Sequence, residues 1–309
     1  MGRTEEFEEL RPLLFAIAYR LLGSVSEAED VVQEAWVRYA TSTTQPDSPR
    51  AYLSAVVTRL SINVLRSART RRERHVGDWF PEPLLEDPYT DPERAVELAD
   101  SVSVAALLLL ERLSPLERAV FVLREVFGFG FAEIAAAVGR SEAACRQLAV
   151  RGRAHMEAGR PRFEADRSVR DELASRFFEA LDTGDLDGLR ELLAADVQLR
   201  SDGGGKAPTL PRRLIGAENV IRLLGVVASR FSRIGVVIEP QHINGQPGAI
   251  VRDAGGLVLA VMVLDVLDGQ IQNVRSVIDP DKLRHLGPVA DAWAVEQEYR
   301  GARRHDRAE

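Results

Sequence analysis

The side chains with the most definite chemistry lie between residues 140 and 154. Ala143, Arg146, Gln147, Val150 and Arg153 recur every three or four residues, the spacing that sets side chains on one face of a helix. Arginine can fork two hydrogen bonds onto guanine and glutamine two onto adenine, and small residues among them let a helix come close to base edges. Arg151 falls at the rim of this face, where it and Arg153 suit phosphates better than bases. The other face, with Ala144, Cys145, Leu148 and Ala149, is apolar and expects a core. A second cationic set lies at 49–75, where seven arginines stand against Glu73 alone, while 76–103 holds Arg94 against eight acids. The net charge of −7 therefore hides two basic zones separated by an acidic one. Two such zones fit two nucleic-acid contacts on separate modules, and the 49–75 run alone fits a solvated helix face equally well.

Other chemistries find less support. Asp196, His242 and Asp265 are the candidates for acid–base work, but they are scattered and no spacing makes a dyad of them. Asp202-Gly203-Gly204-Gly205-Lys206 resembles a phosphate loop only superficially, because Ala207-Pro208 follows where a Ser or Thr and a helix would be needed. The single Cys145 excludes a disulfide framework and a multi-cysteine zinc site. No metal and no other cofactor is expected. The start, MGRTEEFEEL, is acidic where a secretory signal would be basic and then apolar, and no window holds 18 uncharged apolar residues. A soluble cytoplasmic protein without membrane contact is the expectation.

The elements that must position these residues follow from periodicity. Leu10 to Leu22 reads as a helix ended by Gly23, and Ser26 with Glu29 has the form of a capping box for the next. That second helix buries Val31, Val32, Ala35, Trp36 and Tyr39 and turns Asp30, Gln33 and Glu34 outward. A third runs from about Tyr52 into the arginines. The four prolines of GDWFPEPLLEDPYTDP mark a linker, and a helix returns from Pro92 to Leu113. Ser114, Pro115 and Glu117 open the next helix; Phe131–Val138, the turn Gly139-Arg140-Ser141 and a helix from Glu142 then make a helix-turn-helix with Ser141 as N-cap. After 165 the pattern becomes α+β: helices near 168–181, 186–194 and 217–231, a short strand at Val197–Leu199, and hairpins turning at Asn244-Gly245, Gly255-Gly256 and Asp268-Gly269. The expected domains are 1–75, a linker at 76–103, 104–160, 165–287 and a tail at 288–309 that acts separately as a brake. The fold class is multidomain: two all-α modules followed by an α+β cone.

Three stretches carry a family resemblance. SEAEDVVQEAWVRY (26–39) resembles region 2 of bacterial sigma factors, FAEIAAAVGRSEAACRQLAVRGRA (131–154) is similar to their region 4, and 168–285 looks like a SnoaL-like, NTF2-like fold. With WFPEP (79–83), DGGGK (202–206) and DPDKL (279–283), the order matches extracytoplasmic-function (ECF) sigma factors with a fused C-terminal SnoaL-like domain, the sigma-J-like group. The resemblance implies RNA polymerase core (β′ and β subunits) and promoter DNA as partners. It implies polymerase docking by Asp30, Gln33, Glu34 and Trp36, and −10 contacts by Arg59, Asn63, Arg66, Arg69, Arg71 and Arg72; Asn63 stands where many relatives have aspartate. It assigns −35 contacts to Ser141, Arg146, Gln147, Arg151 and Arg153. It implies a regulatory contact between Trp79, Phe80, Pro81, Glu82 and Pro83 of the linker and Asp202, Gly203, Gly204, Gly205, Lys206, Asp281, Lys282 and Leu283. Trp79 and Phe80 are then apolar anchors, and Lys206 or Lys282, the two lysines of the chain, approaches Glu82 or another linker acid.

Two further readings stand beside this one. A ligand-sensing helix-turn-helix regulator would bind a metabolite in the cone, and a SnoaL-like enzyme would carry the helical part as a DNA module. The acidic helix face separates them from a sigma factor, because neither needs a polymerase-docking surface. Promoter, inducing signal, any small-molecule ligand and any separate anti-sigma factor are not written in the sequence.

Overall fold

A computed structural model describes residues 2–43, 45–72, 77–159, 166–209 and 213–297. The chain divides into two compact units, Met1–Arg74 with Glu86–Pro161, and His75–Leu85 with Arg162–Glu309. The proline-rich segment thus splits: residues 77–85 belong with the C-terminal unit and residues from Glu86 with the helical one.

In the helical unit, α1 (Arg3–Leu22), α2 (Val25–Thr41) and α3 (Pro49–Arg72) pack around Leu14, Ile17, Leu21, Val32, Ala35, Tyr39, Leu53 and Val57. Gly23 ends α1 in the left-handed conformation, φ 66°. The cap of α2 is Ser24, whose hydroxyl accepts from the Glu27 amide at 3.1 Å, and not Ser26. Two serines compete for that role, and the abrupt stop at Gly23 gives it to the nearer one. The expected helix from Pro92 is three pieces: a 3-10 turn at Pro92–Arg94, α4 (Ala95–Val102) and α5 (Val104–Leu110). The break comes at Ser103, which caps α5 through the Ala106 amide at 3.2 Å. Helix α6 (Pro115–Phe121) opens with the expected Ser114–Glu117 capping box and runs into a π-helical turn at Val122–Val126. Helices α7 (Phe131–Val138) and α8 (Glu142–Gly159) follow. Two buried arginines tie the unit together. Arg20 donates to Asp87 at 2.6 Å, Ser101 at 2.7 Å and the Leu98 carbonyl at 3.0 Å; Arg118 donates to the Leu21 carbonyl and Glu111, both at 2.7 Å.

Besides residues 77–85, the C-terminal unit holds α9 (Arg167–Thr183) and α10 (Leu186–Leu192), then β1 (Leu193–Asp202), β2 (Leu214–Ile215) and α11 (Ala217–Ile234). Four strands complete the sheet, β3 (Val237–Ile243), β4 (Gln246–Arg252), β5 (Val258–Leu267) and β6 (Gln270–Val277), before the helical turn α12 (Pro280–Leu283). The order is β2-β1-β6-β5-β4-β3, antiparallel except for the parallel β1–β6 pair. Asn244-Gly245 and Asp268-Gly269 turn two of the hairpins with positive φ at both residues, as a two-residue loop of type I′ requires. One sheet face packs on α9, α10 and α11 through Phe177, Phe178, Leu189, Leu224, Met262 and Leu264. The segment expected as a tail from 288 begins against the sheet, where Pro288 and Ala290 hydrogen-bond the two backbone groups of Val258 at 2.8 and 2.9 Å. A strand edge with both groups open recruits the chain that follows it.

Candidate functional site

On α2, Asp30, Gln33 and Glu34 are exposed while Val31, Val32, Ala35 and Tyr39 are buried. Glu34 pairs with Arg38 one turn on, at 2.8 Å, and Glu29 with Arg11 at 2.8 Å, so Asp30 and Gln33 sit between two neutralised acids. Trp36 is half-buried, its ring tilted on Phe7 with centroids 5.0 Å apart, which fixes one edge of the indole beside this acidic face.

On α3, Asn63 and Arg66 are exposed. Arg59 is also exposed, but its guanidinium caps the C-terminal end of α7, donating to the carbonyls of Ala136 at 2.5 Å and Ala137 at 2.9 Å. A cation at a helix C-terminus is favoured by the orphan carbonyls there. The side chains of Arg69, Arg71 and Arg72 lie outside the described residues.

The helix-turn-helix is built as its sequence demands. Gly139 leaves α7 with φ 66°, and the Ser141 hydroxyl accepts the Ala144 amide at 3.2 Å to start α8. Cys145, Leu148, Ala149 and Gly152 face the core, where Gly152 lets α8 run close against Phe121. Burial pushes the Cys145 thiol up, which keeps it protonated and inert. Ala143, Arg146, Gln147, Val150, Arg151 and Arg153 are exposed. Sequence reasoning did not foresee that each arginine here meets a carboxylate: Arg146 pairs with Glu142 at 2.7 Å, Arg151 with Glu117 at 3.5 Å and Arg153 with Glu125 at 2.8 Å. Only the Glu142–Arg146 pair has a sequence signal, its four-residue spacing on one helix.

The linker residues and both signature loops come together in the C-terminal unit. Lys282, on α12, is buried and donates to the Phe80 carbonyl at 2.5 Å and to Asp202 at 2.6 Å, with Trp79 over the ammonium at 4.5 Å from the ring centroid. Asp202 is fully buried at the end of β1; it also accepts the Phe80 amide at 2.8 Å and the Gly204 amide at 3.1 Å. Burial lowers the Lys282 ammonium from its ordinary value near 10.5, and the Asp202 charge opposes that shift. Phe80 is an apolar anchor, 1% exposed. As expected, a lysine lies near a linker acid: the charge of Glu82 acts on the Lys282 ammonium, which also closes on the linker backbone, while Lys206 pairs with Asp281. Gly204 has φ 58°, and a Cβ there would overlap the Asp279 carboxylate, so the glycines make a tight turn and not a phosphate cradle. Three contacts were not foreseen. Asn244, at the hairpin turn, accepts the Leu84 amide at 3.1 Å and donates its own amide to the Leu84 carbonyl at 2.7 Å; His285 bonds the Pro83 carbonyl at 2.7 Å. Phe80 to Leu84 are thereby held from the end of β1 to the β3–β4 turn.

The candidate acid–base residues do not converge. Asp265 is buried against Arg275, with Gln246 at 2.6 Å and Asn273 at 3.0 Å; His242 pairs with Asp171 at 2.9 Å; Asp196 is exposed. Among the described residues, no group of three or more His, Cys, Asp or Glu could hold a metal, and no helix is long and apolar enough to cross a membrane.

Comparison with known proteins places this arrangement. The ECF RNA polymerase sigma factor SigJ of Mycobacterium tuberculosis is 39% identical over 286 residues, covering 90% of this chain and 92% of that protein. The chain belongs to the ECF RNA polymerase sigma factors. The family model for sigma-70 region 2 matches residues 7–71 of this sigma factor, which take in most of α1, all of α2 and nearly all of α3, and that for sigma-70 region 4 matches 103–156, which run from α5 into the last turn of α8. The probable ECF sigma factor SigI of the same species is 32% identical over 284 residues, covering 89% of this chain and 93% of that protein. The crystal structure of M. tuberculosis SigJ superposes on this sigma factor with a TM-score of 0.70 at 36% identity, covering 91% of this chain and 98% of that one. The sigma factor therefore combines region 2 and region 4 helical domains with a C-terminal α+β domain.

Proposed function

We propose that this sigma factor meets the β′ and β subunits of core polymerase in the cytoplasm, docking through the acidic face of α2 that carries Asp30, Gln33 and Glu34 with Trp36 at its edge. Asn63, Arg66 and the arginines at 69, 71 and 72 engage the −10 element, joined by Arg59 once it leaves the end of α7. Helix α8, capped by Ser141, reads the −35 element with Arg146 and Gln147 and holds phosphates with Arg151 and Arg153. The C-terminal domain regulates in cis by gripping WFPEP, and catalysis has no part in this reading. The regulatory part is carried by one observation, the buried Lys282–Asp202 pair closed over the backbone of Phe80. A linker fixed from Phe80 to Leu84 limits the reach of the chain between regions 2 and 4, and effective concentration at a promoter depends on that reach. The packing of Phe177, Phe178, Met262 and Leu264 fills the helix-covered side of the sheet, which favours a structural over a ligand-sensing role. The test is run-off transcription with core polymerase, comparing the full chain, a chain ending before Ser168 and Lys282→Met at matched polymerase occupancy. Loss of activity in both variants is expected; three equal activities refute regulation by this domain, and no promoter-dependent product from any of them refutes the sigma reading itself.

A further inference from the structure

Val150 is 64% exposed on α8, midway along the face that otherwise presents Arg146, Gln147 and Arg153. The apolar residues beside it in sequence, Leu148 and Ala149, are buried in the core, so Val150 is an apolar side chain turned away from the protein's own interior. Its helical neighbours are Arg146 and Gln147, four and three residues earlier, and Arg153 and Ala154, three and four later; Ala154 is exposed and small. A valine in this place gives up a few tenths of a kcal/mol of helix propensity relative to straight-chain residues, and it neither donates nor accepts a hydrogen bond. It does offer two methyl groups in one rotamer, since a β-branched side chain in a helix is held almost entirely in one χ1 well.

A major groove presents one apolar feature on its base edges, the C5 methyl of thymine. The cationic flank of Val150 suits the phosphates on either side of such a groove. Resting on the reading that α8 lies in the −35 groove, we propose that Val150 is a specificity residue that selects thymine by packing on its methyl group. The position follows from helix and duplex geometry. Three residues advance about 4.5 Å along α8, against about 3.4 Å per base pair, so the thymine lies one or two base pairs beyond the one met by Gln147. Side chains in a helix lean toward its N-terminus, which brings the Val150 methyls back toward Gln147 and makes the two a composite reader of neighbouring base pairs.

The experiment uses holoenzyme containing the full chain. A −35 duplex is recovered by wild-type holoenzyme from a pool randomised in that element, and each thymine in it is replaced singly by deoxyuridine, which removes only the methyl. One position should lose about fourfold in affinity with wild type, the worth of one buried methyl, while Val150→Ala binds the thymine and uracil forms alike. Val150→Thr, which keeps one methyl and the branched shape, should retain part of the discrimination and control for folding of α8. Equal thymine-to-uracil ratios for wild type and Val150→Ala at every position would overturn the proposal, as would a recovered element without thymine. Arg146→Ala on the same duplexes separates the two ideas: if it too leaves base preference unchanged, the placement of α8 in the groove has failed, and if it shifts preference while Val150→Ala does not, only the thymine contact has.

Discussion

Lys282→Met is the most informative single change to the linker clasp. It keeps the length and apolar bulk of the side chain and deletes the ammonium that bonds Asp202 at 2.6 Å and the Phe80 carbonyl at 2.5 Å. The pair is 11% and 0% exposed, so solvent cannot replace the lost partner. Breaking a buried ion pair from one side costs about 3–5 kcal/mol, because the remaining charge stays buried. Asp202 keeps the amides of Phe80 and Gly204, which places the expected loss near the lower end, about 3 kcal/mol. Lost locally, that is a rise on the order of 100-fold in the open population of the linker. Native-state hydrogen exchange at the Phe80 and Leu84 amides reads it directly, since these donate to Asp202 and Asn244. Lys206→Met is the matched control. Its pair with Asp281 is 54% and 42% exposed, so it should change the same amides no more than about fivefold. Equal exchange rates in the two variants would show that the clasp contributes nothing to holding the linker.

Three other outcomes are expected. Asp30→Arg combined with Glu34→Arg should weaken core binding in a pull-down titration and leave the thermal unfolding of the free protein within a degree or two, since both side chains are exposed. Arg146→Ala and Gln147→Ala should each cost about 1–3 kcal/mol at particular −35 bases, whereas Arg153→Ala should weaken matched and scrambled duplexes alike and reduce the salt slope by about one, as measured by fluorescence anisotropy. The Ser114 hydroxyl, with help from Arg151, holds the Glu117 carboxyl below its usual 4.5. A carboxylate favoured by folding stabilises above its unfolded value and loses that contribution as pH falls through the folded one, so the melting temperature of wild type should exceed that of Glu117→Gln near neutrality and converge with it below pH 4.5.

The helical modules and the sheet hairpins were legible because each has a local cause: a 3.6-residue stripe, a serine cap, an Asn-Gly or Asp-Gly turn. The failures are places where two local signals compete or none exists. Ser24 and Ser26 both satisfy a cap pattern, and only the stop at Gly23 decides between them. β2 is two residues, Leu214 and Ile215, which become a strand only by pairing with Leu199 and Gln198. Arg59 reads as one more arginine of a basic run until α7 is brought to it. In the clasp, the sequence marks WFPEP, DGGGK and DPDKL by resemblance and the two lysines by rarity, but which lysine is buried depends on the end of β1 meeting the end of β6. The Asp202 carbonyl bonds the amides of Ile278 and Asp279 there, and nothing near 202 in the chain announces it.

The clasp also sets an order in time. Phe80 and Lys282 are 202 residues apart, and Leu84 and Asn244 are 160 apart. At roughly 5–20 residues per second, the ribosome needs on the order of 10–40 seconds to pass from the linker to the lysine that closes on it. Both helical regions are complete before that lysine exists, so each nascent chain passes through a period with its linker unheld. During this interval the segment can meet polymerase, a chaperone or a protease without its C-terminal partner. Closing a loop of that length is slow compared with forming any single helix, and linker closure is therefore among the last events in the maturation of this sigma factor.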